Sequence, residues 1–175
     1  MDLSAANLLA SVLTLGAAIT VGVWYLAPAC RRRTLSEALT LLLWFHVFRY
    51  VALQIFSAAE FGGLDASLAE QRVIAFGDLA SSVLALVTIW ALRRPLAVGR
   101  PLAWLAAGVG IADLVSASLV GIRSGLTDTA SDWSWFVLAV YVPFLWVTAI
   151  MIVWQLTTRR REPLRGTEPT MTNAP

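Results

Sequence analysis

Apolar residues run along this chain in five long blocks, at residues 4–27, 35–58, 71–92, 101–122 and 133–156, and short connectors between them carry most of the charge. Each block is close to the roughly 20 residues that a helix needs to cross a bilayer. The pattern predicts an all-α, polytopic membrane protein, a five-transmembrane-helix bundle over residues 1–158. The tail at 159–175 is rich in Arg, Pro, Thr and Glu, has too little apolar surface to fold alone, and is expected to be disordered. Local punctuation agrees with these limits. Trp24 and Tyr25 are aromatics of the kind that sit at a headgroup boundary, and Pro28 is expected to stop the first helix. Thr34 and Glu37 have the spacing of a capping box ahead of the second, and Arg93, Arg94 and Pro95 close the third.

Charge alternates from connector to connector. Arg31 to Arg33 follow the first block, Arg93, Arg94 and Arg100 follow the third, and Arg159 to Arg161 follow the fifth. The other two connectors are acidic on balance, with Glu60, Asp65 and Glu70, then Asp128 and Asp132. By the positive-inside rule the Arg-rich ends are cytoplasmic, which puts the N-terminus out and the C-terminus in. The residues before the first block include Asp2 and no base, so that block reads as a retained span rather than a cleaved signal peptide.

Within the apolar blocks, three ionisable residues stand out: Arg49, Asp78 and Asp113. Counted along ideal helices at 1.5 Å per residue, all three lie roughly 10 to 14 Å below the outer boundary. Tyr141 falls in the same layer, and His46 lies one turn deeper than Arg49 and Tyr50 on nearly the same face. Ser82 shares a side with Asp78, as do Gly110 and Ser116 with Asp113. Charges at that depth are costly alone, on the order of 3 kcal/mol each, so they are expected to face one another or a polar cavity. The candidate ligand-binding or proton-relay set is therefore His46, Arg49, Tyr50, Asp78, Ser82, Asp113, Ser116 and Tyr141. One guanidinium against two carboxyls is unbalanced, which calls for a proton, a charged His46 or a bound cation. Trp44 and Trp146 are the deeper tryptophans and the better pocket candidates, and Pro143 is expected to kink the fifth helix beside Tyr141.

Composition removes several classes of function. The chain is 58% hydrophobic and only 14% charged, with a mean hydropathy of +0.73, far from a typical soluble domain. All 13 basic residues are Arg, so Schiff-base chemistry on lysine, covalent retinal included, is excluded. A net charge of +2 concentrated at helix ends reads as topology, not as a nucleic-acid surface. One cysteine excludes an intrachain disulfide and a CxxC redox pair, and one histidine excludes bis-His haem. No metal ligand spacing, phosphate-binding loop or nucleophile motif is present, so no metal or cofactor is expected and no catalytic residue is assigned. The abundance of Ala, Leu, Val and Arg points to a GC-rich bacterial source, hence a multi-pass protein of a bacterial inner membrane.

The pattern His46, Phe48, Arg49, then Gly77, Asp78, Leu79, then Asp113, Leu114 resembles small uncharacterised bacterial five-span membrane proteins across spans two to five. That resemblance implies no function. With eight Trp and five spans, the chain is also similar in topology to the translocator protein family, the tryptophan-rich sensory proteins that bind porphyrins and sterols. The Trp and Pro motifs of that family are absent, so none of its binding residues transfers.

The residues support three expectations. The first is an outward-facing pocket that binds or transports a small amphipathic or anionic ligand, with Arg49 as the anion contact, Asp78 and Asp113 as counter-charges or proton carriers, and His46 and Tyr141 as orienting partners. The second is an intramembrane acid/base enzyme acting on a lipid or isoprenoid through His46 and one aspartate. The third is an accessory or structural subunit without a ligand. Partners on these readings are membrane lipids, a small amphipathic ligand, and a second copy or another subunit, with no nucleic acid.

Overall fold

The computed structural model describes residues 3–61, 64–94, 96–130 and 132–164. Five helices among them are long and apolar enough to cross a membrane: α1 (Ala5–Arg31), α2 (Leu35–Phe61), α3 (Leu68–Leu92), α4 (Gly99–Arg123) and α5 (Trp133–Thr158). Each has 25 to 27 residues, about 37 to 40 Å of helix against a hydrocarbon core of about 30 Å. This fits an integral membrane protein.

α2, α3, α4 and α5 form a ring in which α2 packs on α3, α3 on α4, α4 on α5 and α5 back on α2. α1 stands outside the ring, against α5. At the Arg-rich end the ring is filled by Leu35, Leu39, Leu42 and Leu43 of α2, Ala85 and Ile89 of α3, and Ala103, Ala106 and Ala107 of α4. Small residues on α4 bring the backbones close, which is how helices associate when lipid offers no hydrophobic drive for burial. The outward faces carry apolar side chains such as Leu13, Val83, Leu105 and Ile150, as a lipid-facing surface requires.

Two capping boxes start helices. Thr34 and Glu37 exchange side-chain to backbone hydrogen bonds ahead of α2, as their spacing predicts. Ser67 and Glu70 do the same for α3, so that helix begins three residues before the apolar block at 71.

Pro28 does not stop α1, contrary to expectation; the helix runs on to Arg31. A π turn at Gly22–Leu26 precedes it, and the Ala27 N–H bonds back to the Gly22 carbonyl five residues earlier. α5 repeats the arrangement: a π turn at Val137–Tyr141, the Val142 N–H on the Val137 carbonyl, then Pro143. A proline inside a helix lacks the N–H for its own bond, and its ring crowds the carbonyl four residues back. A wide turn immediately upstream moves the hydrogen bonds to a five-residue spacing and lets the helix continue.

The expected disordered tail lies largely at 165–175, outside the described residues. Its first residues close the Arg-rich end. Arg159 donates to Glu162 at 2.6 Å and to the Arg33 carbonyl at 2.8 Å, and Arg100 donates to the Arg160 and Glu162 carbonyls. Glu162 in turn accepts the Leu35 N–H at 2.7 Å, one of the orphan donors at the start of α2. Partial burial opposes the Glu162 charge, but the hydrogen bonds from Arg159 and Leu35 and the Arg159 and Arg100 charges outweigh it. Its carboxyl therefore sits below the usual pKa. A depressed folded pKa contributes stability that is present above the unfolded value, about 4.3, and is lost as pH falls through the folded one. Glu162→Gln is expected to lower the thermal midpoint in mixed micelles at pH 7 by about 2 to 4 °C. The gap from wild type closes on acidification through the folded pKa, and a gap independent of pH would show that charge is not what Glu162 contributes.

Candidate functional site

Midway along α2 the helix tightens to 3-10 geometry over Phe48–Gln54, and Arg49 lies in the first turn of that segment. Its side chain is wholly buried inside the ring. Nε donates to Asp78 Oδ1 of α3 at 2.5 Å, Nη1 to the Gly110 carbonyl of α4 at 3.0 Å, and Nη2 to Asp113 Oδ2 of α4. One guanidinium thereby ties three helices, using donors on all three of its nitrogens.

Glycines make the approach. A Cβ on Gly110 would stand 3.3 Å from Arg49 Nη1. A Cβ on Gly77 would overlap the Asp113 carboxylate outright, so only glycine lets Asp113 reach Arg49.

Side-chain hydroxyls bond to α2 where its helix changes form. Tyr141 of α5 donates to the Phe45 carbonyl at 2.6 Å, and Ser82 of α3 donates to the Val47 carbonyl. His46 faces α5 instead, with Nε2 3.2 Å from Thr148 Oγ1. Thr148 also bonds the Phe144 and Leu145 carbonyls at 3.1 Å each. The structure thus gathers Arg49, Asp78, Asp113, Ser82 and Tyr141 together, with the His46 ring beside Gly110 and its Nε2 turned to Thr148.

Two expected members lie elsewhere. Tyr50 is 45% exposed, its ring tilted against that of Phe48 on the outer face, because it follows Arg49 by one residue of a 3-10 turn and so points about 120° away. Ser116 is half-buried on α4 and takes part in none of the cluster's hydrogen bonds. Among the tryptophans, Trp44 is 40% exposed on the outside of α2, whereas Trp146 lines a cavity.

That cavity has a volume of about 600 Å³ and lies chiefly between α1, α4 and α5, toward the Arg-poor end, with Ala52, Gln54 and Ile55 of α2 and Ile74 of α3 also lining it. Its walls are mostly apolar: Val12 and Leu15 of α1, Leu114 and Ala117 of α4, and Leu138, Val142 and Trp146 of α5. Its inner end is formed by Arg49, Asp78 and Tyr141, while Asp113 and His46 do not line it. The site residues outside the expected candidate set are Gly77, Gly110 and Thr148. Gly77 adjoins Asp78 and Gly110 shares the face of Asp113, so the two glycines had a signal in the sequence; Thr148 had none.

The electrostatics are those of a low-dielectric cluster with one cation and two carboxyls. Both carboxylates bond the one Arg49 guanidinium, so the two carboxyls are held close together. Two carboxylates there repel, and a proton between them brings the cluster to zero net charge.

Fold and site together fit a helical integral membrane protein, with an Arg–Asp–Asp centre inside the bundle beside an apolar cavity. The chain belongs to the family described as a domain of unknown function (DUF8737), whose model matches residues 6–157 and so takes in all five helices. No curated protein and no solved structure matches it.

The glycine contacts yield a direct test. Gly77→Ala should push the Asp113 carboxylate off Arg49 and cost about 1 to 3 kcal/mol, in the range of overpacked cores. Asp113→Ala makes room for the new methyl and leaves a balanced Arg49–Asp78 pair, so Gly77→Ala combined with Asp113→Ala should be more stable than Gly77→Ala alone. Unfolding in mixed micelles measures all three, and strictly additive losses would show that the two residues do not compete for one space.

Proposed function

We propose that this protein binds a small amphipathic molecule inside the membrane, with the hydrocarbon part in the cavity between α1, α4 and α5 and the polar part at Asp78 and Tyr141. One observation carries the reading: a cavity of about 600 Å³, apolar along its walls, ends on charged and hydrogen-bonding groups. Binding sites for small molecules have this build, with mostly apolar lining and a few placed polar groups.

The polar end favours a particular headgroup. Arg49 is already engaged by both carboxylates and a carbonyl, so an anionic head would have to displace an aspartate from it. Asp78 is the acceptor that lines the cavity. A head that donates hydrogen bonds, a hydroxyl or an amine, meets an acceptor without breaking the ion pairs. Arg49 then acts by positioning Asp78 rather than as the ligand contact, and transport would follow if head-group binding exchanged with a proton at the carboxyl pair. The setting for this activity is a bacterial inner membrane, with the Arg-rich ends in the cytoplasm.

A second reading has its own observation. The engagement of Arg49 with both aspartates and the Gly110 carbonyl is what a purely structural lock between α2, α3 and α4 requires, and such a lock needs no ligand. Acid/base catalysis has less support, since the imidazole of His46 turns to Thr148 and does not line the cavity.

Ala117→Trp, which fills the cavity from α4, separates the readings. Native mass spectrometry of the wild type, released from mild detergent, should show a retained small amphiphile that Ala117→Trp reduces at least about tenfold with little change in thermal midpoint. Asp78→Asn should weaken the same ligand by roughly 10- to 100-fold, the value of a hydrogen bond to a charged group. A wild type that stays empty through gentle extraction, with Ala117→Trp harmless, supports the structural lock instead.

A further inference from the structure

A second recess lies on the other side of the molecule's α1–α5 seam, toward the Arg-rich end. It has a volume of about 490 Å³ and runs between Ile19, Gly22 and Val23 of α1 and Val147 and Met151 of α5. At its end stands Arg31, whose guanidinium lies over the Trp154 ring with its carbon 5.6 Å from the ring centroid. Among the described residues no carboxylate pairs with Arg31, whereas Arg159 pairs with Glu162 and Arg49 with two aspartates.

The backbone explains why a groove is there. The π turn at Gly22–Leu26 widens α1 where it meets α5, and Gly22 presents no side chain, its missing Cβ falling 3.1 Å from Val147 Cγ1. α1 and α5 therefore touch at the glycine and part on the lipid side of it. Ile150 lines both this groove and the cavity beside Asp78, so the two adjoin along one face of α5.

We infer that this groove is a site for an anionic glycerophospholipid of the adjoining leaflet, its phosphate on Arg31 and one acyl chain lying over Gly22 between α1 and α5. The chemistry matches at both ends. An apolar trough at a helix pair takes a hydrocarbon chain, and a guanidinium with free donors forms paired hydrogen bonds to phosphate oxygens. The cation–π contact with Trp154 holds the guanidinium at the end of the groove. Arg32 and Arg33 beside it add to the attraction for a net negative headgroup. A zwitterionic lipid satisfies the groove and the phosphate but forfeits that net charge.

The test is native mass spectrometry of the full-length protein titrated with dioleoyl phosphatidylglycerol or dioleoyl phosphatidylcholine, which share their acyl chains. The wild type is expected to take up one phosphatidylglycerol ahead of any phosphatidylcholine. Arg31→Gln should weaken that first binding by at least about tenfold, the loss of a hydrogen bond to a charged group, while Arg32→Gln weakens it by no more than about fivefold, the contribution of one basic residue near a membrane surface. Val23→Trp, which fills the trough from a lipid-facing position and leaves every charge in place, should weaken it as well. Equal affinity for the two lipids overturns the proposal. So does an equal effect of Arg31→Gln and Arg32→Gln, which would mean diffuse attraction to a basic surface, or an unaltered affinity in Val23→Trp. Competition by inorganic phosphate alone would also overturn it, since the acyl chain would then contribute nothing.

Discussion

Arg49 sets the terms for the rest of this molecule. A guanidinium cannot shed its proton in a protein and cannot stay unpaired in an apolar bundle, so every helix near it must supply something. α3 supplies Asp78, and α4 supplies Asp113 and the carbonyl of Gly110. The two glycines that allow those approaches, Gly77 and Gly110, belong to the same constraint, because a methyl at either would stand against the charged groups. The ring of α2 to α5 is then fixed at this level by ion pairs, and at the Arg-rich end by leucines packed on alanines. Buried charge of this kind is weak evidence for stability and stronger evidence for a defined arrangement.

Two prolines shape the rest. Each is preceded by a π turn, and each π turn lies on a recess: Val137–Tyr141 borders the cavity that reaches Asp78, and Gly22–Leu26 borders the groove that ends at Arg31. The physical link is simple. A wide turn inserts backbone without adding a packed side chain in register, so the neighbouring helix cannot close on it. α1 meets α5 through both regions, which leaves the outer helix attached by a seam with an opening at each end.

Much of this was legible in the sequence. The five apolar blocks located five helices to within a few residues, and Thr34 with Glu37 marked the start of α2. Depth counted along the helix placed Arg49, Asp78, Asp113 and Tyr141 in one layer, and the structure brings them together there. What failed was azimuth and backbone form. Trp44 sits at a suitable depth but faces outward, and Tyr50, expected near the face of His46 from α-helical spacing, is turned outward where α2 tightens to 3-10 geometry. Pro28 looked like a stop because the rule for proline assumes that the preceding hydrogen bonds keep their four-residue spacing. The start of α3 was missed although Ser67 and Glu70 form a capping box, since attention to apolar runs skips a polar first turn. Which helices neighbour one another, and that a cavity lies between α1, α4 and α5, depend on packing that no single helix encodes.

Charge balance at Arg49 decides how the ring holds together, and unfolding free energies of Arg49→Gln, Asp113→Asn and the double variant in mixed micelles measure it. Asp113→Asn leaves one cation and one anion, and should be nearly neutral. Arg49→Gln leaves two buried carboxyls without a counter-charge, and should cost roughly 3 to 5 kcal/mol, part of which the double variant recovers. Equal and mild effects of the two single substitutions would contradict the account, because they would mean that the helices are held together without regard to the cluster's charge.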